Sequence, residues 1–334
     1  MAEEVDDQEN LPFKEADLLN CIDQESFLVT VMGLTGVGKS NLLERLGATS
    51  LRTVDGAMVG HRLESHTRTV NFYSLKYRDQ HFLFIDTPGF EDGARQNSDI
   101  LQIIAQHLAT SYNHKKYPDS VIYVSKITET RFMGHARKNL DLFEEVCGTD
   151  SMEMVTLLTT MWDTAGQVPP TRISDFESRE EELITKYWNE MIQQGAKPRR
   201  SDNTRDSLLP ILDQCIARRA QLQEQGRTHP ALQLQTELVE DNRKLIDTSA
   251  GSLLAHEFRQ TEKRLENHKE RLSKYLEEDP QNERLARRIE AVEYEIQENK
   301  EAEDRLRYWT IAGISTAFIA ALGGLLGLIL SAAR

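Results

Sequence analysis

The chain has 334 residues, 39% of them hydrophobic and 28% charged, and carries a formal net charge of -14. That length accommodates one domain of ordinary size and a substantial second region. The acidic balance argues against a nucleic-acid partner. The three cysteines, Cys21, Cys147 and Cys215, follow neither disulfide nor metal-ligand spacing, as expected of small core residues in a reducing compartment.

Residues 1–24 carry Glu3, Glu4, Asp6, Asp7 and Glu9 with no apolar core, so they read as a flexible acidic leader and not as a secretory signal. A first apolar strand is predicted over Phe27–Met32. It leads into Gly33-Leu34-Thr35-Gly36-Val37-Gly38-Lys39-Ser40, and Asn41–Leu46 then continues as a helix. The order of strand, glycine turn and helix fits G-x4-G-K-[ST] at every fixed position. Backbone N–H groups of Gly33, Thr35, Gly36, Val37, Gly38 and Asn41 are candidates for cradling phosphate oxygens at the open helix end. Lys39 is placed to reach the β- and γ-phosphates, and the Ser40 hydroxyl to ligate magnesium. These residues imply binding of a nucleoside triphosphate with Mg2+.

Residues 48–64 read as a polar connection with Gly56 and Gly60. Val70–Tyr77 alternates as a strand, Arg78-Asp79-Gln80 is a hairpin turn, and His81–Ile85 is the next strand. That strand ends in Asp86-Thr87-Pro88-Gly89, 47 residues after Lys39. Asp86 is a candidate for holding the metal, and the Gly89 backbone for meeting the γ-phosphate. Helices are predicted over Ser98–Tyr112 and Gly134–Val146, and strands over Val121–Val124 and Val155–Thr160. A charged helix over Ser174–Gln194, a basic turn over Gly195–Arg200 and a closing helix over Ser207–Ala217 complete the pattern. Alternating strands and helices of these lengths predict a three-layer α/β domain with a mostly parallel sheet over residues 25–218.

Thr160-Met161-Trp162-Asp163 follows the strand ending at Thr160. One Asp carboxylate can accept both the N1 and N2 donors of guanine, which adenine does not offer, so Asp163 is the base-specificity candidate. Met161 stands where this pattern usually has lysine, and Trp162 offers a stacking surface. Arg199, Arg200 and Asn203 fall where a loop backing the base belongs.

Beyond Ala217 the composition turns to Glu, Lys, Arg, Gln and Asn with leucines at heptad-like spacing. Residues 219–308 are predicted to be helical, either as a coiled coil with a partner or as a hairpin folded back on the first domain. Ile311–Leu330 contains no charged residue and is about as long as a hydrocarbon core roughly 30 Å thick requires. Residues 309–330 are therefore expected to form a carboxy-terminal membrane anchor. Arg305 and Arg307 before it and Arg334 alone after it place the preceding domain in the cytoplasm, on the surface of an intracellular membrane.

The loop Gly33–Ser40, Asp86–Gly89 and Thr160–Asp163 together resemble the septin, immune-associated and chloroplast-import-receptor group of GTPases, fungal G-domain proteins in particular. Gly60-His61-Arg62-Leu63-Glu64-Ser65-His66-Thr67 is similar to a switch segment of the immune-associated members, and Thr130-Arg131-Phe132 to a further box of theirs, with Thr130 in place of glycine. The resemblance implies GTP/GDP and Mg2+ as cofactors. It implies Thr67 as the switch threonine closing over metal and γ-phosphate, with Thr69 a rival. It also implies a homodimer paired through the nucleotide face. Lys39, Thr67 and Gly89 are then the candidate catalytic residues, and Ser40, Thr67 and Asp86 the metal set. Phe90 and Glu91 follow Gly89, so the glutamine often used to orient water is absent. The Thr67 backbone, His61 and His66 are open alternatives for that task, and Arg68 or Arg95 for charge supplied across a dimer. Slow GTP hydrolysis by a membrane-associated switch or assembly GTPase is the expected activity. A structural scaffold with negligible hydrolysis and a P-loop ATPase are the alternatives.

Overall fold

In the computed structural model, residues 26–51, 70–91, 93–129, 134–162 and 170–311 are described. Among these residues seven strands form one sheet in the order β2-β3-β4-β1-β5-β6-β7. They are β1 (Phe27–Gly33), β2 (Thr49–Leu51), β3 (Asn71–Tyr77), β4 (Gln80–Asp86), β5 (Ser120–Lys126), β6 (Val155–Thr160) and β7 (Lys197–Arg200). Only the β2-β3-β4 edge is antiparallel. The rest runs parallel, with Val31 opposite Asp86 and Gly33 opposite Val124. All of β1 is buried, because helices cover both faces of a parallel sheet.

Alternation along the strands divides the core. Val29, Val31, Ile122, Val124 and Leu158 point to one face, against α1 (Lys39–Leu46) and a later helix, Arg205–Glu224. Met32, Val121, Tyr123, Val155 and Leu157 point to the other, against α2 (Ala94–Asn113) and α3 (Gly134–Cys147). The charged stretch after β6 is broken into α4 (Pro170–Glu182), a π-helical turn at Leu183–Tyr187 and the short α5 (Asn189–Gln193). The single helix expected over Ser174–Gln194 is interrupted there, and Trp188 at the break is fully buried in the core. The predicted basic turn is strand β7, an exposed parallel edge on β6. Pro198 is tolerated there because an edge strand has one side without a ladder to donate into. Arg205–Glu224 is α6.

The helical region folds back as a hairpin. α7 (Ser249–Glu278) and α8 (Glu283–Tyr308) are joined by a turn at Asp279–Asn282, where the Asn282 side chain caps α8 by accepting from Leu285 N. At the tip the two helices pack on each other through Leu265, Leu272, Val292 and Ile296. At the base, Leu254, Phe258, Ala302 and Leu306 enter the same core as Leu101 and Leu140 of α2 and α3. The heptad stripes are thus satisfied within the chain. Among the described residues no helix is long and apolar enough to cross a membrane. Beyond Ile311, the expected anchor over 309–330 lies outside the described residues.

Candidate functional site

The site sits at the carboxyl ends of β1 and β4. The loop after β1 needs glycine where side chains are excluded: a Cβ on Gly33 would lie 2.4 Å from the Val124 carbonyl oxygen, and its φ is 142°. The segment after β4 docks directly on this loop. Thr35 N donates to Phe90 O at 3.0 Å, Phe90 N to Gly33 O at 3.1 Å, and Thr35 Oγ1 to Gly89 O at 3.1 Å. A Cβ on Gly89 would lie 2.5 Å from the Thr35 backbone, so the close approach requires glycine. The two motifs, 47 residues apart, form one unit.

Lys39 is buried and turned into the loop, its ammonium donating to Leu34 O at 3.0 Å and Gly33 O at 3.3 Å. Burial lowers its pKa to about 8, against the raising pull of Asp86. Two carbonyl acceptors and one carboxylate do not fully replace water around a buried ammonium, and an arriving phosphate would supply the missing charge. Ser40 Oγ donates to Asp86 Oδ2 at 2.5 Å. Asp86 is fully buried and burial pushes its carboxyl above the usual range, against the lowering pull of Lys39, Ser40 and Asn71, and among the described residues its Oδ1 lies in no hydrogen bond of good geometry. A hydroxyl beside a carboxylate with an orphaned oxygen is a donor set that suits a hard, oxygen-seeking divalent cation. The residues present therefore fit Mg2+. Buried Tyr73 lies near the same pair, its hydroxyl pushed up to about 12 by burial first and then by the Asp86 charge.

Toward the base side, Thr160 Oγ1 donates to Val37 O at 2.9 Å and ties the end of β6 to the phosphate loop. Met161 adopts φ 67°, and its sulfur accepts from Thr128 Oγ1 at 3.4 Å. The Trp162 ring is committed to packing: its Nε1 donates to Thr159 Oγ1 at 2.9 Å and the Arg200 guanidinium lies 4.3 Å above it. Arg200 in turn pairs with Glu180. Arg200 is thus structural mortar between β7 and α4. Asn203 lies in the loop between β7 and α6 at φ 66°.

Two residues that the sequence did not single out fix the segment after Gly89. Asn97 Oδ1 accepts from Glu91 N at 2.9 Å, and the Asn97 and Asn139 amides each donate to Glu91 O at 3.1 Å. Their joint signal, two amides 42 positions apart, becomes visible only when α2 and α3 are neighbours. Phe90 is itself buried in the core. Arg95 pairs with Glu298 of α8 at 2.9 Å, so this candidate for charge across a dimer is engaged within the chain. Thr67, Thr69, His61, His66, Arg68, Thr130–Phe132 and Asp163 lie outside the described residues. Cys147 and Cys215 are buried, as expected of core residues.

Residues 28–159 match the sequence profile of the family described as 50S ribosome-binding GTPase. No curated protein sequence matches the chain. Among solved structures, Toc33 from Arabidopsis thaliana in complex with GDP and Mg2+ is similar at 19% identity and a TM-score of 0.42, covering 56% of this chain and 74% of that one. The bacterial selenocysteine-specific elongation factor EF-Sec matches at 16% identity and a TM-score of 0.37, covering 59% of this chain and 29% of that one. The G domain of the T. maritima FeoB iron transporter matches at 17% identity and a TM-score of 0.34, covering 57% and 98%. With the phosphate loop and the Ser40–Asp86 pair in place, the profile match makes residues 28–159 a P-loop GTPase G domain.

Proposed function

We propose that the chain is a magnesium-dependent GTP-binding switch or assembly GTPase that works at a membrane and hydrolyses GTP slowly. The observation that carries this reading is the direct bonding of the Asp86–Phe90 segment to the phosphate loop through Thr35 and Gly33. A γ-phosphate, which only accepts, would compete for the donors of these bonds, the Thr35 and Phe90 N–H groups and the Thr35 hydroxyl, so nucleotide state and the position of the Gly89 segment are linked. Lys39 would hold phosphate charge, Ser40 and Asp86 would hold Mg2+, and Thr67 is the proposed switch threonine. When bound, the metal neutralises charge developing on the phosphate oxygens.

Slow hydrolysis is supported by Phe90, whose side chain faces the core where a water-orienting polar group would be needed. The scaffold alternative shares every binding residue and differs only in phosphate release. Asp163 supports guanine over adenine. GTP and GDP are expected to outcompete ATP at least about tenfold, roughly 1.4 kcal/mol, and Asp163→Asn is expected to remove most of that preference. Competition titrations, with released phosphate followed in the same sample, test both points. Equal affinity for ATP and GTP in the unmutated protein would sink the guanine assignment.

Residues 309–330 are the proposed anchor, inserted with the G domain on the cytoplasmic side of an intracellular membrane. Alkaline carbonate extraction is expected to leave the full-length chain with the membranes and to release a chain stopped after Ile311. Release of both forms would remove the membrane from this proposal. Pairing of two G domains through the nucleotide face is proposed as the route by which GTP controls assembly.

A further inference from the structure

At the end of the sheet opposite the phosphate loop lies a cavity of about 560 Å³, lined in part by the start of β1, the turn after α2 and the end of α6. Its floor is an ion cluster. Asp119, 2% exposed, accepts from Leu28 N at 2.7 Å and from Arg219 at 2.6 and 2.8 Å, and pairs with His229 at 3.0 Å. Arg219 also donates to Ser26 O at 2.9 Å and lies 3.5 Å above the Phe27 ring, and Lys116 donates to Ser26 O as well. Two exposed cations, Lys115 and Arg227, stand at the rim, while Ile216, Ala220 and Leu222 give the wall an apolar strip. Among the described residues, Lys115, Lys116, Arg219 and Arg227 face Asp119 as the one lining carboxylate, in a chain whose net charge is -14.

The chain itself enters at this point. Ser26, whose carbonyl two of these cations hold, is immediately preceded by residues 1–25, which contain nine carboxylates against Lys14 alone. Asp23 and Glu25 lie within three residues of Ser26, no more than about 10 Å of extended chain. Just upstream, Leu18, Leu19 and Ile22 recur at helical spacing and match the apolar strip of the wall. We infer that the leader is the ligand of this cavity: residues 18–25 dock in it, with Asp23 and Glu25 against Lys115 and Arg227 and the apolar trio against Ile216, Ala220 and Leu222. Docking there clamps the foot of β1, the strand whose other end is the phosphate loop.

Cys21 reports on the docking directly. Cys147 and Cys215 are buried, and burial pushes both thiols up, Cys215 to about 12, so an aromatic disulfide reagent near neutral pH reads Cys21. In the full-length protein, Cys21 is expected to react about fivefold or more slowly than in Lys115→Glu/Arg227→Glu, because protection follows the free energy of local opening. Asp23→Lys/Glu25→Lys is expected to expose it equally, and combining all four changes to restore protection by exchanging the signs. Circular dichroism checks that the four proteins keep the same helix content, which changes at the exposed rim and in the leader should leave intact. Equal rates in all four proteins, fast or slow, would overturn the docking. Exposure that the charge exchange fails to reverse would overturn it too, since that is general loosening.

Discussion

Lys39→Met is expected to abolish measurable nucleotide binding and to remove the rise in stability of the nucleotide-free protein between pH 8 and about 10.5. The ammonium is buried against two carbonyls and held near pKa 8 by desolvation, so the nucleotide-free fold bears part of the cost of a charge awaiting its counter-ion. The sign follows from the depressed value. Below pH 8 folded and unfolded chains both hold the proton and the cost is fully present. Between pH 8 and about 10.5 the folded chain releases it first, so stability rises with pH across that window. The shift corresponds to something on the order of 3 kcal/mol. Methionine keeps the aliphatic stem and removes the ammonium's desolvation cost with its pH dependence, while buried Asp86 loses its cationic neighbour and is pushed further above the usual carboxylate range. It also removes the charge-assisted bonds to phosphate, for an expected loss of about 100-fold or more in affinity. Calorimetric titration with GTP and Mg2+, beside denaturation at pH 7 and pH 9.5, measures the two halves separately. Nucleotide affinity unchanged in Lys39→Met would remove this residue from the phosphate site.

The parts of this site that could be read in advance are those whose chemistry is local. Gly33–Ser40 must be contiguous, because a strand, a tight turn and a helix N-terminus have to follow one another. Asp86–Gly89 is recognisable because it closes an apolar strand. What escaped is what the tertiary fold supplies. Asn97 and Asn139 are unremarked amides in two helical patterns until α2 and α3 lie side by side and grip Glu91. Arg200 reads as a candidate near the base, yet the Trp162 ring beneath it and Glu180 beside it make it structural. The edge strands were the least legible. β2 is three residues long, and β7 is exposed and carries Lys197, Pro198, Arg199 and Arg200. A strand flanked on one side alone needs no apolar alternation to announce it.

The same limit explains the helical region, where a heptad stripe states that a partner helix exists but not whose it is. Phe258 decides between the two. Its ring is fully buried in the core shared by α2, α3, α7 and α8, and its carbonyl accepts from the buried Asn299 amide at 3.1 Å. Phe258→Ala is expected to cost about 3–5 kcal/mol, because it opens a cavity between layers that cannot slide together. Leu272 is nearly as buried but lies near the hairpin tip, against Val292 and Ile296, so Leu272→Ala is expected to cost about 2 kcal/mol or more, felt first as local opening of the tip. If G domain and hairpin fold as one body, Phe258→Ala shifts the whole denaturation curve to lower urea. Fluorescence from Trp188, in the core beneath α4, then moves together with the helix signal from α7 and α8. Two separated transitions, with Phe258→Ala moving the helix signal and leaving Trp188 where it was, would make the hairpin an independent unit. In that case the ion pairs Arg95–Glu298 at 2.9 Å and Asp99–Arg305 at 3.5 Å would be the weak exposed contacts that such pairs are elsewhere. With a single transition they flank a continuous core, and displacing α2 after Gly89 has to move α8 as well.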